Sequence, residues 1–229
     1  MKTIQCFNCG VSISRKQGNE TSEHIPIQSL FEGVGDDYKI NRITVPCCHA
    51  CNNETSKTLD EEFRNAIAVI SDNPALTGKT VKAMFQYKRQ FDRLRQIENG
   101  QLGITFNQKT LIEYQKKVFK GLFYHRYNYP LPSNYVILVD FDQAGNGGSI
   151  PFVKYLVANF KYKHSGHPSI FKYILQPFRA GLNQKEKTDL VPTPDDKRYL
   201  GLLVFNQSFA SMVYADPNEN NYLSLPNVL

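Results

Sequence analysis

Four cysteines stand as two pairs, Cys6-x-x-Cys9 and Cys48-x-x-Cys51, in a chain of 229 residues that holds no cysteine beyond Cys51. Two thiolates separated by two residues can turn onto one ion, and two such pairs complete the tetrahedron that Zn²⁺ prefers. The 38 residues between the pairs exceed the ~15–20 of a simple zinc ribbon, so further structure must fold inside that loop. The fifth cysteine, Cys47, leaves open a rival register in which it pairs with Cys51, although the two-residue spacing of Cys48 and Cys51 matches the first pair better. An odd count gathered at one end of a chain without a secretory signal argues for metal over a disulfide framework. Cysteines buried as small hydrophobes would leave the doublet spacing unexplained. With Cys6, Cys9, Cys48 and Cys51 filling all four positions, the zinc is structural and contributes much of the folding energy around it.

Inside the loop lies Glu23-His24-Ile25-Pro26, and Asn52 directly follows the last cysteine. An imidazole near its midpoint at neutral pH can take a proton from water, and carboxylate and amide oxygens suit hard divalent ions. In order along the chain stand Cys6-x2-Cys9, Glu23-His24-Ile25-Pro26, Asn41-Arg42-Ile43-Thr44-Val45-Pro46 and Cys48-x2-Cys51-Asn52. This set resembles the HNH (ββα-metal) endonuclease family of the type with two Cys-x-x-Cys knuckles, over roughly Cys6 to Arg64.

The resemblance implies a division of labour. His24 is the general base on the attacking water, and Glu23 with Asn52 holds one catalytic divalent ion, Mg²⁺ or Mn²⁺. Asn41 fills the middle position, bracing the loop that bears the histidine. The family more often has Asp where this chain has Glu23, and Asn53 competes with Asn52 for the ligand role, with His49 nearby. Glu23 and His24 are adjacent, so on a strand they point oppositely; one shared site requires the strand to end or twist, which Pro26 favours.

The elements that position these residues follow from patterning. Residues 1–64 form the zinc-stapled module, and residues 65–229 a helical, then β-rich region for substrate binding, oligomerisation or sensing. Thr58-Leu59-Asp60-Glu61 has the form of a capping box, followed by Phe63, Ala66, Ile67 and Ile70 at helical spacing. A second helix is predicted over Lys79–Glu98 and a third over 109–124. After Pro130, the runs Tyr135–Val139, Ile150–Val153, Phe171–Leu175, Leu200–Phe205 and Ala210–Tyr214 read as strands of an antiparallel sheet, and 183–198 as an exposed loop. The fold class expected is therefore α+β.

The net charge of +6 is compatible with nucleic acid and is unevenly placed. Between Lys79 and Arg126 eleven Lys and Arg face three acids. Lys57, Arg64 and the stripe Lys82, Gln86, Arg89 and Arg93 could seat a phosphate backbone, which would give affinity without sequence choice. Each is also an ordinary solvated helix position. Lys116, Lys117 and Lys120 could form a second patch. Tyr124, His125, Arg126, Tyr127 and Tyr129 could stack on bases or, as the stronger reading, anchor a helix end to the sheet. His164 and His167 read as loop residues. No run of apolar residues reaches the ~20 needed to span a membrane. The expectation is a cytoplasmic, metal-dependent endonuclease acting on DNA, with an RNA-cleaving effector or a non-catalytic zinc-bearing nucleic-acid-binding module as rivals, and with a homo-oligomer or a regulatory protein as further partner.

Overall fold

The computed structural model describes residues 4–14, 20–56, 58–71, 75, 77–78, 94–96, 102–104, 106–142, 151–178 and 198–217. The chain starts with a two-residue hairpin, β1 (Ile4–Gln5) with β2 (Ser12–Ile13). A longer antiparallel pair follows, β3 (Glu20–Ile25) with β4 (Ile43–Cys48), joined through two 3-10 turns, Gln28–Phe31 and Asp36–Lys39. Strand β4 runs directly into helix α1 (His49–Ser56), and α2 (Leu59–Ile70) comes next.

Beyond a short pair, β5 (Leu94–Gln96) and β6 (Leu102–Ile104), lies the long helix α3 (Gln108–Tyr127). The remainder is β7 (Val136–Asp142), helix α4 (Pro151–Asn159), β8 (Lys163–His164), β9 (Phe171–Phe178), β10 (Arg198–Phe205) and β11 (Phe209–Asp216). These five strands form one antiparallel sheet in the order β7-β11-β10-β9-β8. Helices with antiparallel sheets make the chain α+β, as its patterning predicted.

Strand alternation gives the large sheet two apolar faces. One presents Phe171, Tyr173, Leu175, Leu203, Phe205, Val213 and Ala215 to the main core, in which α3 contributes Tyr114, Val118, Phe119, Leu122 and Phe123. The other presents Ile174, Leu200, Leu202, Val204 and Tyr214, covered by Val153, Leu156 and Phe160. Those last three residues explain a correction. Ile150–Val153 reads as a strand in isolation, yet the segment opens α4: a four-residue apolar run carries no period of its own, and the helical spacing emerges only when Leu156 and Phe160 are included. Pro151 suits a first helical turn, where its missing N–H is not needed. The predicted helix over Lys79–Glu98 likewise fails at its end, where Leu94–Gln96 is β-strand; residues 79–93 lie outside the described residues, as does the predicted loop 183–197.

The division at residue 64 falls inside α2, and one apolar cluster runs from Cys6, Phe7, Ile25 and Val45 through Phe63 and Phe119 to Leu203 and Val213. The N-terminal unit and the sheet therefore share a core, with α3 between them. Two glycines allow this approach. A Cβ on Gly121 of α3 would meet Ile25 Cδ1 at 2.5 Å, and one on Gly166, whose φ is +67°, would meet Phe31 Cε1 at 2.5 Å. Ser165, fully buried, accepts the Ile43 N–H at 2.9 Å and donates to the Ile25 carbonyl, while the Gly166 N–H reaches the Asn41 carbonyl at 3.0 Å. The β8–β9 turn thus clamps the ends of β3 and β4 together.

Candidate functional site

The first knuckle is shaped by its backbone. The Cys6 N–H donates to Val11 O and the Gly10 N–H to Cys6 O, both at 2.9 Å, and Gly10 takes the left-handed conformation (φ +76°) that the turn requires. The Phe7 N–H reaches Pro46 O at 3.0 Å and docks this turn onto β4. The second pair straddles the β4–α1 junction. The sulfurs of Cys6, Cys9, Cys48 and Cys51 consequently all lie within 4.8 Å of one another, with Cys9 and Cys48 at 3.8 Å. A tetrahedral ion with metal–sulfur bonds of ~2.3 Å requires sulfurs about 3.8 Å apart, so the four can hold a metal ion. Cys47, the rival ligand, is buried beside Cys6 and is not one of the four converging sulfurs. A hydrogen bond from the Cys47 thiol is the largest cause holding Cys6 down to about 4. Burial raises Cys9 and Cys51. Lys120 bonds Asn8 Oδ1 at 3.2 Å; burial lowers its proton affinity, against which Glu113, then Cys51 and Cys9, favour its charge.

Glu23 and His24 do not meet. Consecutive residues of an extended strand face opposite ways, and although β3 ends at Ile25 before a cis Ile25–Pro26 bond, both residues still lie inside the ladder, paired with Val45 and Thr44. Glu23 points inward and is buried. Its carboxylate lies 3.2 Å from Lys117 Nζ, which also holds both oxygens of Asp60 at 2.8 and 3.1 Å. Burial raises Glu23 and Asp60, while the lysine pulls both back down. Neither Asp60 nor Lys117 was expected here. Asp60 lies within the Thr58–Glu61 box without being one of its two capping residues, and Lys117 belongs to the possible second basic patch; neither expectation describes what the structure shows. Thr58 is the N-cap of α2 but makes no side-chain cap bond. The patch does not form, because Lys117 is buried, Lys116 pairs with Glu113 at 2.9 Å and Lys120 is turned to the knuckle. Lys117 is buried, while Lys116 and Lys120, four apart on one helix face, are each engaged by other protein groups, which composition alone does not reveal.

His24 lies on the outer face, half-buried, with Nδ1 3.1 Å from Thr44 Oγ1. Burial, then the nearby Arg42 charge, lowers its proton affinity below the ordinary 6.5, which favours the neutral ring that can accept a proton. If Nδ1 donates to Thr44, the lone pair sits on Nε2. Asn41 is exposed in the turn before β4, and the contact described for it is through its carbonyl, to Gly166, rather than a side-chain brace. Asn52 is half-exposed on α1, one residue past Cys51.

Among the residues expected to meet nucleic acid, Arg64 donates to the Asn65 side chain at 3.0 Å; Lys57, Lys82, Arg89 and Arg93 lie outside the described residues. The aromatic-basic cluster packs on the sheet: Arg126 donates to Leu175 O, and Tyr127 lies against Phe123 and Tyr199. His164 and His167 bond locally to Gly166 O and Ser169. Among the described residues no helix is long and apolar enough to cross a membrane. Compared with protein-family models, with curated proteins and with solved structures, the chain finds no match.

Proposed function

We propose that the chain is an endonuclease hydrolysing DNA phosphodiester bonds, with a ββα-metal unit formed by β3, β4 and α1 and stapled by zinc on Cys6, Cys9, Cys48 and Cys51. The observation that carries this reading is His24, a half-buried imidazole bonded to Thr44 on the outer face of a strand–strand–helix unit tied by four clustered cysteines. Nε2 takes a proton from water as its oxygen attacks phosphorus, and the P–O bond to the leaving nucleotide breaks. Thr44 holds the ring in the required orientation.

The resemblance adds Mg²⁺ or Mn²⁺ on Glu23 and Asn52, an ion that supplies charge stabilisation at the phosphate. Glu23 does not fit that role, because it faces away from His24 and is held by Lys117, so no step is drawn through the ion. This same engagement favours a second reading, a zinc-bearing module that binds nucleic acid without cutting it.

Cleavage of plasmid DNA and of an RNA of equal length, with Mg²⁺ or Mn²⁺ and with EDTA, separates these readings. The first expects His24→Ala to lower the DNA rate by ~10²–10⁴-fold, and the wild-type rate to rise with pH through a midpoint below 6.5. Equal rates in the two proteins exclude His24 as base. Binding without cleavage under every condition favours the second reading, and preferred RNA cutting reassigns the substrate.

A further inference from the structure

The outer face of the hairpin holds a cation that neither the helix-spaced basic stripe nor the resemblance assigns. Arg42 immediately precedes β4, two residues before Thr44, and so shares its face; Thr44 pairs in register with His24. On such a ladder His24 and Arg42 are diagonal neighbours, within reach of a long side chain. At that distance the Arg42 charge opposes protonation of the imidazole, after the larger effect of burial.

Among the described residues the guanidinium has only uncharged side-chain partners, Tyr38, which hydrogen-bonds it, and Gln28. It lies over the Tyr38 ring, 5.6 Å from the centroid, and Nη2 makes a 3.5 Å contact with Gln28 Oε1, at the limit of a hydrogen bond. Nε is shielded and has no hydrogen-bond partner. Among the described residues no carboxylate pairs with Arg42. Nearby cations differ: Lys39 has Asp36, and Lys117 has Asp60 and Glu23. A planar fork of five donors, steadied by an aromatic ring and lacking an anion, suits a phosphate oxygen pair in a way that an ammonium does not.

We propose that Arg42, with the His24 ring and the Thr44 hydroxyl beside it, forms a phosphodiester-binding site in which the guanidinium holds the non-bridging oxygens. This deepens the nuclease reading by naming the group that seats the scissile phosphate, and it rests on that reading only for the cleavage that follows binding.

The test titrates dimethyl phosphate, the smallest phosphodiester, into the full chain at fixed ionic strength without divalent ions. The His24 ring nitrogens are followed by NMR and assigned with His24→Asn. A saturable shift is expected in the wild type. Arg42→Gln should weaken it at least tenfold, and Arg42→Lys should bind less tightly than wild type. No saturable shift, or equal binding by Arg42→Gln, overturns the proposal. Should Arg42→Gln not fold, equal binding by Arg42→Lys overturns it instead. The assay involves no bond cleavage, so loss of the nuclease reading and loss of this site give different results.

Discussion

On the inner face of strand β3 Glu23 sits among buried groups, held by a lysine that also carries Asp60; one residue along, on the outer face, His24 meets a threonine, an arginine and solvent. Burial acts on both and pushes them in opposite directions. It raises the carboxyl by disfavouring its anion and lowers the imidazole by disfavouring its cation. The inner trio joins two carboxylates to one ammonium, which suits an internal cross-link between β3, α2 and α3. The outer trio joins an imidazole to a cation with no carboxylate partner among the described residues, the basis of the anion site proposed above. Adjacent letters in a sequence can therefore occupy opposite environments.

The largest break in this contrast should come from removing the metal proposed for the four cysteines, because both faces depend on the staple. Structural zinc in small peptides binds with on the order of 10 kcal/mol. Chelation should release one zinc per chain and abolish amide protection in β3, β4 and α1; a folded chain containing no zinc would refute the staple. Next, Lys117→Met leaves two buried carboxylates facing each other and should destabilise by about 3–5 kcal/mol in urea unfolding. A change within error would mean that the inner trio contributes nothing.

Glu23→Gln sharpens the comparison with a smaller effect. Because burial raises Glu23 and Asp60 above their ordinary 4.5 and 3.8, the folded chain binds these protons more tightly than the unfolded one. Their favourable contribution is present below those ordinary values and is lost as pH rises through the raised folded values. Melting temperatures of Glu23→Gln should therefore fall less steeply than wild type between pH 4.5 and neutrality; parallel curves would show that Glu23 is not the titrating group.

Several parts of this arrangement were legible in the residues themselves. The doublet spacing of Cys6, Cys9, Cys48 and Cys51 selected the four sulfurs that converge and set Cys47 aside, because short turns at each pair leave few other geometries. Periodicity located α2, α3 and the strands β7, β9, β10 and β11, whose patterns extend over enough residues to be distinctive. It failed at Ile150–Val153, where four apolar residues fit either period, and at Leu94–Gln96, where strand pairing prevailed over helical patterning.

What only the tertiary structure decided is which groups share an environment. The strand's alternation, known in principle, separates Glu23 from His24 once β3 continues to Ile25. Asp60 and Lys117, 57 positions apart, meet because α2 and α3 pack side by side, and Arg42 gains its significance from a register that pairs Thr44 with His24. Metal-ligand spacing is local and so is written in the chain. Charge pairing across a core depends on how whole elements dock, and no short stretch of sequence contains that information.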